Sequence, residues 1–178
     1  MAVCAPVMST MASVLTYDVV DTPMGPFTLG ASDFAIHSAY FGKPSSVPAA
    51  GSDDHHQRHP VLALAKEQVQ QYFAGQRKTF SVPVELKGTL FQRKAWAVLN
   101  MIPYGETWTY TEQAEGMGEH GKARAVGMAN GKNPVCLLVP CHRVVGKGGN
   151  LRGYAFGVEV KQSLLEFEAS HLSKSSDN

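Results

Sequence analysis

Four consecutive residues, Pro140, Cys141, His142 and Arg143, bring together side chains that are well suited to chemistry. They follow an apolar run, 135–139, which predicts a buried strand, and they precede a glycine-rich loop. A cysteine that leaves a strand at a tight turn can point its sulfur into a pocket. A thiol becomes a nucleophile only as the thiolate, which a neighbouring base or positive charge promotes. The sequence therefore predicts covalent chemistry at Cys141, with His142 as its base or proton relay.

The composition is that of a globular protein with an uneven charge distribution. The chain has 178 residues, of which 44% are hydrophobic and 17% are charged, enough for one domain or two small ones. Residues 87–161 contain ten Lys or Arg and five Glu without any Asp, which gives +5. The rest carries 6 minus 10, or −4, because the whole chain has 16 basic and 15 acidic residues. A basic C-terminal half favours an anionic partner, with nucleic acid as the leading candidate.

The three cysteines, Cys4, Cys136 and Cys141, argue against a disulfide framework and for a reducing compartment. We expect Cys4 to be incidental and Cys136 to behave as a small buried hydrophobic residue. No apolar run reaches the length of a membrane span, and the N-terminus lacks the features of a secretory signal. We therefore expect an intracellular protein with no membrane partner.

The first part of the chain predicts a small antiparallel sheet and one helix. Residues 1–13 have no periodicity and are expected to form a disordered tail. Apolar segments separated by Pro, Gly and Asp turn residues predict strands at 14–20, 27–31 and 35–41. Apolar residues at helical spacing, followed by Gly75, predict a helix at 61–73.

Three histidines, His55, His56 and His59, fall in a polar segment, 45–59. A metal site would need further Cys, Asp or Glu ligands at a fixed spacing in an apolar frame. The segment offers none in that arrangement, so it predicts a solvated surface loop.

The second part of the chain predicts short helices. After an extended segment at 80–86 that contains Pro83, a helix is expected from about 90 to 101. Thr109 and Glu112 have the spacing of a capping box at the start of a third helix. A further helix at 122–130 would complete a helix-turn-helix, although an ordinary helix pair is the simpler interpretation of this weak pattern.

The helix predicted at 122–130 has an unusually smooth surface. Its small residues would allow a close approach to another helix or to a nucleic-acid groove, and they are Ala123, Ala125, Gly127, Ala129 and Gly131. One long cation, Arg124, projects from it. Such a side chain can enter a gap in a base stack. A phosphate contact or a surface salt bridge is the alternative.

Several segments occur together in the order found in one family. They are Phe91-Gln92 with Trp96, Ile102-Pro103-Tyr104-Gly105-Glu106-Thr107, Arg124-Ala125-Val126-Gly127, Asn133-Pro134, Pro140-Cys141-His142-Arg143-Val144, Gly153-Tyr154, and Lys161 with Leu164-Leu165. In these segments the chain resembles the O6-alkylguanine-DNA alkyltransferases, and the bacterial members in particular, from about 14 to 170. We expect no counterpart of the zinc-containing N-terminal domain of the Ada protein.

The resemblance implies an α/β (α+β) fold with two parts. Residues 14–86 would form a small antiparallel-sheet lobe with a helix, similar to ribonuclease H. Residues 87–170 would form a mainly helical domain that carries the helix-turn-helix and the cysteine, followed by a tail at 171–178. We expect a monomer, cytoplasmic in a bacterium or nuclear in a eukaryote.

The resemblance also implies a DNA-repair reaction. A guanine alkylated at O6, mainly O6-methylguanine, is flipped out of double-stranded DNA that is bound through its minor groove. The cysteine thiolate then takes the alkyl group as a stable thioether, so each molecule acts once and needs no cofactor or metal.

Five residues would take catalytic roles by this resemblance. Cys141 is the acceptor, and His142 relays its proton through a water. Glu168 orients His142, although Glu166 is close in sequence. Asn133 braces the turn that carries the cysteine. Tyr110 crowds the target phosphate and helps to protonate the departing guanine.

Arg124 would replace the flipped base in the DNA stack. The other DNA contacts would come from the start of the two short helices: Thr109, Tyr110, Lys122, Ala123 and Ala125. The substrate pocket would be formed by Val144, Tyr154, Ala155, Phe156, Lys161, Cys136 and Trp96, with Lys161 near its mouth. Phe156 stands where many members have a small residue, so we expect it to narrow the pocket and to favour methyl over benzyl adducts. Cys136 replaces a common small apolar residue or proline.

Three rival functions make different predictions. A non-catalytic damage-binding relative would lack the acceptor, whereas Cys141 is present. A helix-turn-helix regulator would need base-reading side chains, and residues 123–130 offer few. A cysteine hydrolase would turn over many times, whereas an alkyl acceptor would stop after one equivalent.

Overall fold

The structure, a computed structural model, describes residues 15–43 and 59–173. The tail expected at 1–13, nearly all of the loop expected at 45–59, and residues 174–178 lie outside the described residues. So do Cys4, His55 and His56.

Three strands form an antiparallel sheet in the order β1-β2-β3, as predicted. They are β1 (Thr16–Thr22), β2 (Gly25–Ala31) and β3 (Ile36–Phe41). The first hairpin turns at Pro23-Met24, where Gly25 adopts a φ of 97° that side chains disfavour. The central strand is buried from Phe27 onward because it has a neighbour on each side.

One long helix, α1 (Pro60–Phe73), packs against this sheet. His59 caps its start, since its Nδ1 accepts a hydrogen bond from the Leu62 amide at 3.3 Å. The buried face repeats at helical spacing, with Leu62, Ala65, Val69 and Tyr72 almost fully enclosed. His59 therefore has a structural role in this helix.

The remaining elements are short helices and a two-stranded pair. They are α2 (Leu90–Leu99), β4 (Trp108–Thr109), α3 (Tyr110–Gly116), α4 (Ala123–Asn130), β5 (Val144–Val145) and α5 (Val158–Ser173), and β4 runs parallel to β5. The predicted capping box is present: the Thr109 hydroxyl accepts from the Glu112 amide, and the Glu112 carboxylate accepts from the Thr109 amide. The helix predicted to 101 ends at Leu99. Helix α5 includes the first three residues of the tail predicted at 171–178, and the His171 ring packs on Phe167.

The strand predicted at 135–139 is wrong. The segment is buried as expected, but only its first residues pair with the sheet, through hydrogen bonds of 2.8 Å between Ala39 N and Pro134 O and between Cys136 N and Ala39 O. The chain then reverses at Leu137, whose φ is 69°, so that Val139 N donates to Val135 O at 3.0 Å. A buried turn attached to the edge of β3 replaces the strand.

The side chain of Asn133 holds this turn closed. Its Nδ2 donates to Val139 O at 2.8 Å, and its Oδ1 accepts from Val135 N at 3.1 Å. Backbone groups that a strand would pair with a neighbour are therefore satisfied locally. Within the described ranges, no helix has both the length and the apolar character to cross a membrane.

Candidate active site

Cys141 is the first residue of a 3₁₀ turn, Cys141–Arg143, that follows the buried turn directly. Its amide donates to Val139 O at 2.9 Å, so the bracing by Asn133 is transmitted to the cysteine through Val139. The residue is only 6% exposed. Its sulfur lies 4.0 Å from the sulfur of Cys136, which is also buried.

The surroundings of Cys141 favour its ionised form. The Cys136 thiol, as a hydrogen-bond donor, contributes most to lowering the pKa of Cys141, against the opposing effect of burial. The Asn133 amide and the Lys161 ammonium lower it further. The pKa of Cys136 is raised in turn, by its hydrogen bond to Cys141 and by burial. Of the two thiols, Cys141 is therefore the one that ionises first.

His142 is fully buried and faces a carboxylate. Its Nε2 lies 3.0 Å from Glu168 Oε1. Burial lowers the pKa of His142 and the Glu168 carboxylate only partly offsets this, so the ring is neutral near pH 7. In the described part of the chain, Nδ1 has no hydrogen-bond partner. With Nε2 bonded to the carboxylate, Nδ1 is the nitrogen left to exchange a proton.

Glu168 is the centre of a buried hydrogen-bond network. Arg143 Nε donates to Oε2 at 2.9 Å and an Arg143 terminal nitrogen donates to Oε1 at 2.9 Å. The Tyr72 hydroxyl donates to Oε1 at 2.7 Å, and the Gly105 amide to Oε2 at 2.9 Å. Burial raises the pKa of Glu168, but the hydrogen bonds from His142 and Arg143 outweigh it and hold the pKa at about 2. Glu166 is exposed and bonds Gln162, so Glu168 is the carboxylate beside His142.

A small cavity of about 10 Å³ adjoins the two sulfurs. Its lining comes from four segments of the C-terminal part: Tyr110, Asn130, Gly131, Cys136, Cys141, Gly153, Tyr154 and Ala155. The volume suits about one water molecule and is far below that of a base. The Tyr154 hydroxyl is buried without a hydrogen-bond partner among the described residues, and burial raises its pKa. A base could enter only if the cavity became larger.

Tyr110, from α3, lines the cavity, whereas Lys161, from α5, does not. Tyr110 Oη donates to Arg152 O at 3.1 Å, and burial raises its pKa, followed by the charge of Cys141. Lys161 Nζ donates to Val144 O at 2.5 Å and to Arg152 O at 3.3 Å. Lys161 is 1% exposed, so its expected place at the pocket mouth is wrong: the two carbonyls hold the ammonium beneath the site.

Three other residues expected in the pocket do not line the cavity. Trp96 belongs to the face of α2 that packs on α4, and its Nε1 donates to Ala129 O at 2.9 Å. Val144 is fully buried and contributes its carbonyl to Lys161. Phe156 packs edge-on against Tyr154 at 5.6 Å and Phe41 at 6.0 Å, between centroids, so it stands one layer behind the cavity wall.

The exposed surface next to the cavity is formed by α3 and α4. Arg124 is exposed, and within residues 15–43 and 59–173 it has no hydrogen bond or ion pair. Helix α4 lies beside the Tyr110 ring, which a Cβ at Gly127 would meet at 3.5 Å, an ordinary van der Waals contact. By contrast, Lys122 pairs with Glu119 at 2.6 Å, and the Thr109 hydroxyl is used in the capping box. Ala123 and Ala125 are partly exposed on the same helix.

Sequence reasoning gave no role to Arg143 or Tyr72. A signal existed for Arg143, because an arginine between apolar segments must find a carboxylate if it is buried. None existed for Tyr72, which lies 96 residues from Glu168 and occupies an ordinary core position of α1.

Fold and site together define a class: an α+β protein whose activated, buried thiol lies beneath a surface pair of short helices. The family described as 6-O-methylguanine DNA methyltransferase, DNA binding domain, matches residues 90–170. The family described as 6-O-methylguanine DNA methyltransferase, ribonuclease-like domain, matches residues 15–86.

Curated proteins and solved structures agree with these matches. The methylated-DNA--protein-cysteine methyltransferase of Mycolicibacterium paratuberculosis is 42% identical over 158 residues, covering 89% of this chain and 94% of that protein. The constitutive Bacillus subtilis protein of the same name is 41% identical over 85% of this chain and 94% of its own. The crystal structure of Mycobacterium tuberculosis OGT in complex with DNA superposes with a TM-score of 0.77 at 41% identity, covering 87% and 93% of the two chains.

The chain therefore belongs to the 6-O-methylguanine DNA methyltransferase family. It is a DNA-repair transferase that moves a methyl group from methylated DNA to a protein cysteine. The resemblance and the fold class inferred from the sequence are both confirmed.

Proposed function

We propose that Cys141 is the cysteine that accepts the alkyl group, taken from O6-alkylguanine flipped out of duplex DNA. The lowered pKa of its buried sulfur, at the floor of a cavity beside α3 and α4, carries this proposal. The thiolate attacks the alkyl carbon, a sulfur–carbon bond forms, and the carbon–oxygen bond to guanine breaks. The resulting thioether is a poor leaving group, so each molecule reacts once.

His142 and Tyr110 complete the transfer of the proton. Neutral His142, oriented by Glu168, accepts the proton of Cys141 at Nδ1 through a water molecule. Tyr110 keeps its proton at neutral pH because its pKa is raised, and it donates to the departing guanine as negative charge develops there. Asn133 holds the turn so that the sulfur keeps its direction.

We propose that the protein binds as a monomer in the minor groove and opens its cavity when a base enters. The small residues of α4 allow a close approach, and the exposed Arg124 fills the gap in the stack. Unpairing a base costs a few kcal/mol, which this insertion partly offsets. Thr109, Lys122, Ala123 and Ala125 contact the adjacent backbone. Residues 87–170 then form the reactive domain, and 14–86 the lobe that supports it.

A duplex that carries a labelled methyl group on O6 of one guanine tests the assignment. We expect label to move to the protein, to stop at one equivalent, and to be found on a peptide that contains Cys141. Cys141→Ala should retain DNA binding and lose transfer. Label that stays on DNA, or that appears at another cysteine, would overturn the proposal; repeated turnover would favour a hydrolase.

Alkyl size tests the role proposed for Phe156. Because Phe156 supports Tyr154 from behind, we expect rapid methyl transfer and slow reaction with O6-benzylguanine. Phe156→Ala should accelerate the benzyl reaction more than the methyl reaction. Equal rates for both adducts in the parent protein would contradict this role.

A further inference from the structure

We propose that Cys136 is a positioning residue for the transfer: its thiol donates a hydrogen bond to the Cys141 thiolate and turns to the Asn133 carbonyl once the alkyl group has arrived. The proposal rests on the function proposed for Cys141. It assigns a role in the reaction to a residue that sequence reasoning treated as a small hydrophobic side chain.

The geometry gives the single proton of Cys136 two acceptors. Cys136 Sγ lies 4.0 Å from Cys141 Sγ and 3.7 Å from Asn133 O. A thiolate is the stronger acceptor of the two because it is charged. A thioether is only a weak acceptor, so after transfer the carbonyl becomes the better partner. The Cys136 thiol is therefore expected to donate to Cys141 before transfer and to Asn133 O after it.

Other groups that face Cys141 are committed elsewhere. The Asn133 amide nitrogen donates its hydrogen bond to Val139 O at 2.8 Å, although its proximity also lowers the pKa of Cys141. Lys161, from α5, directs its ammonium at two carbonyls. Tyr110, from α3, donates to Arg152 O. Within the described residues, Cys136 is the side chain with a direct contact to Cys141 Sγ, at 4.0 Å, the long end of the range for a hydrogen bond between sulfurs.

Two further groups near Cys141 remain protonated or neutral. Burial does most to raise the pKa of Tyr154, on the loop before α5; its hydroxyl makes no well-formed hydrogen bond in the described part of the chain but interacts with the Cys136 thiol. Adjacent His142 is neutral and bonded to Glu168. Neither supplies a competing charge at the sulfur.

Cys136 is neither a second nucleophile nor half of a disulfide in this arrangement. Its raised pKa keeps it protonated next to an ionised neighbour. A disulfide bond is about 2.05 Å long, whereas the sulfurs are 4.0 Å apart. No bond to Cys136 forms or breaks during the transfer.

The test compares Cys136→Ala and Cys136→Val, which lack a donor but differ in size, with Cys136→Ser, which keeps one. Cys141 ionisation is followed from pH 5 to 10, a range of about five units, by thiolate absorbance in reducing buffer. Each spectrum is corrected with the same variant carrying Cys141→Ala, which removes the tyrosine and Cys4 signals. Single-turnover methyl transfer from the labelled duplex is measured at the same pH values.

Loss of the donor should change the pH profile in a way that loss of packing would not. We expect Cys136→Ala and Cys136→Val to raise the pKa of Cys141 by the same amount, about one unit. Cys136→Ser, which keeps a donor, should leave the pKa of Cys141 near that of the parent protein. Below the titration of Cys141, a pKa one unit higher leaves about tenfold less thiolate, which is about threefold more reactive, so transfer should slow about threefold there. Above the titration the thiol is ionised in every variant, so transfer should quicken about threefold. The curves of the parent and the two non-donor variants should therefore cross.

Three results would overturn the inference. One is a pKa of Cys141 that is the same in Cys136→Ala and Cys136→Val as in the parent protein. Another is a difference between Ala and Val as large as that between Ala and Ser, which would indicate packing. The third is a uniform rate loss with no crossing. In each case transfer to Cys141 would still proceed, whereas an absence of transfer to Cys141 in the parent protein would instead defeat the proposed function.

Discussion

The Cys141–His142 pair lies between two regions that differ in how fully their buried polar atoms are hydrogen-bonded. On the side of Glu168, charged and polar atoms are buried and paired: both carboxylate oxygens accept several hydrogen bonds from Arg143, Tyr72 and Gly105. On the side of the cavity, His142 Nδ1 and the Tyr154 hydroxyl are buried with no partner among the described residues.

This difference separates the residues that hold the site in place from the atoms that would take part in the reaction. Buried polar groups in native proteins are normally satisfied, and exceptions are expected where function requires them. The network of Glu168 fixes the ring of His142 and joins α1, α5 and the 3₁₀ turn. The two unpartnered atoms on the cavity side belong to the residue after Cys141 and to a residue of the cavity lining, where a base and a water would supply the missing hydrogen bonds.

The largest effect on stability should follow from loss of the carboxylate. Glu168→Ala would leave Arg143 buried without its counter-charge, and breaking a buried pair in this way costs about 3–5 kcal/mol. Urea denaturation at pH 7 measures the loss in the free energy of unfolding.

Glu166→Ala is the matched control for Glu168→Ala, since it removes an exposed carboxylate from the same helix and should change stability by no more than about 0.5 kcal/mol. Similar losses for the two variants would show that the network of Glu168 is not a stabilising centre.

Acid should weaken the protein through the same network. The pKa of Glu168 falls from 4.5 to about 2 on folding, so its contribution is complete above 4.5 and is lost as pH falls towards 2. A shift of this size corresponds to roughly 3 kcal/mol. The pKa of His142 is also lowered on folding, so stability already declines as pH falls below 6.5.

Unfolding free energies measured from pH 7 to pH 2, a span of about five units, test both contributions. Glu168→Gln should be less stable at pH 7 and should lose the decline between 4.5 and 2. A parent protein whose stability is constant below pH 4.5 would contradict the lowered pKa of Glu168.

A pair of tyrosines tests the comparison between the two sides directly. Tyr72→Phe removes a hydrogen bond to a charged acceptor, so it should cost about 1.5–3 kcal/mol. Tyr154→Phe removes a buried hydroxyl that has no partner within the described chain, so stability should be unchanged or slightly increased. Thermal and urea denaturation of both variants provide the measurement, and equal losses would remove the distinction between the two sides.

The sequence predicted the helices and the three-stranded sheet correctly but not the backbone path of the buried segment at 135–139. Apolar spacing and caps identified the sheet, α1 and the Thr109 capping box because those signals are local. The strand expected at 135–139 failed because the apolar run reports burial and not hydrogen-bond direction. There, Asn133 supplies the pairing that a strand would have made, and Leu137 turns the chain back.

The site was predicted in part. Cys141, His142 and Glu168 are brought together as expected, since the motif and the resemblance carry their spacing. The places of Lys161 and Trp96 depend on partners distant in sequence, namely two carbonyls and Ala129, which no local pattern indicates. Likewise, the contact between the sulfurs of Cys136 and Cys141 depends on the reversal at Leu137.

The smallest effect on stability should come from Arg124, which belongs to neither side. Arg124→Ala removes an exposed cation with no partner in the described residues, so the free energy of unfolding should change by no more than about 0.5 kcal/mol. Methyl transfer from duplex DNA should nevertheless slow about tenfold or more, because a flipped base costs a few kcal/mol that the guanidinium helps to offset. Alkylation of Cys141 by iodoacetamide, which involves no DNA, should proceed at the parent rate. A variant that loses both reactions equally would show that Arg124 acts on the thiol environment and not on the DNA.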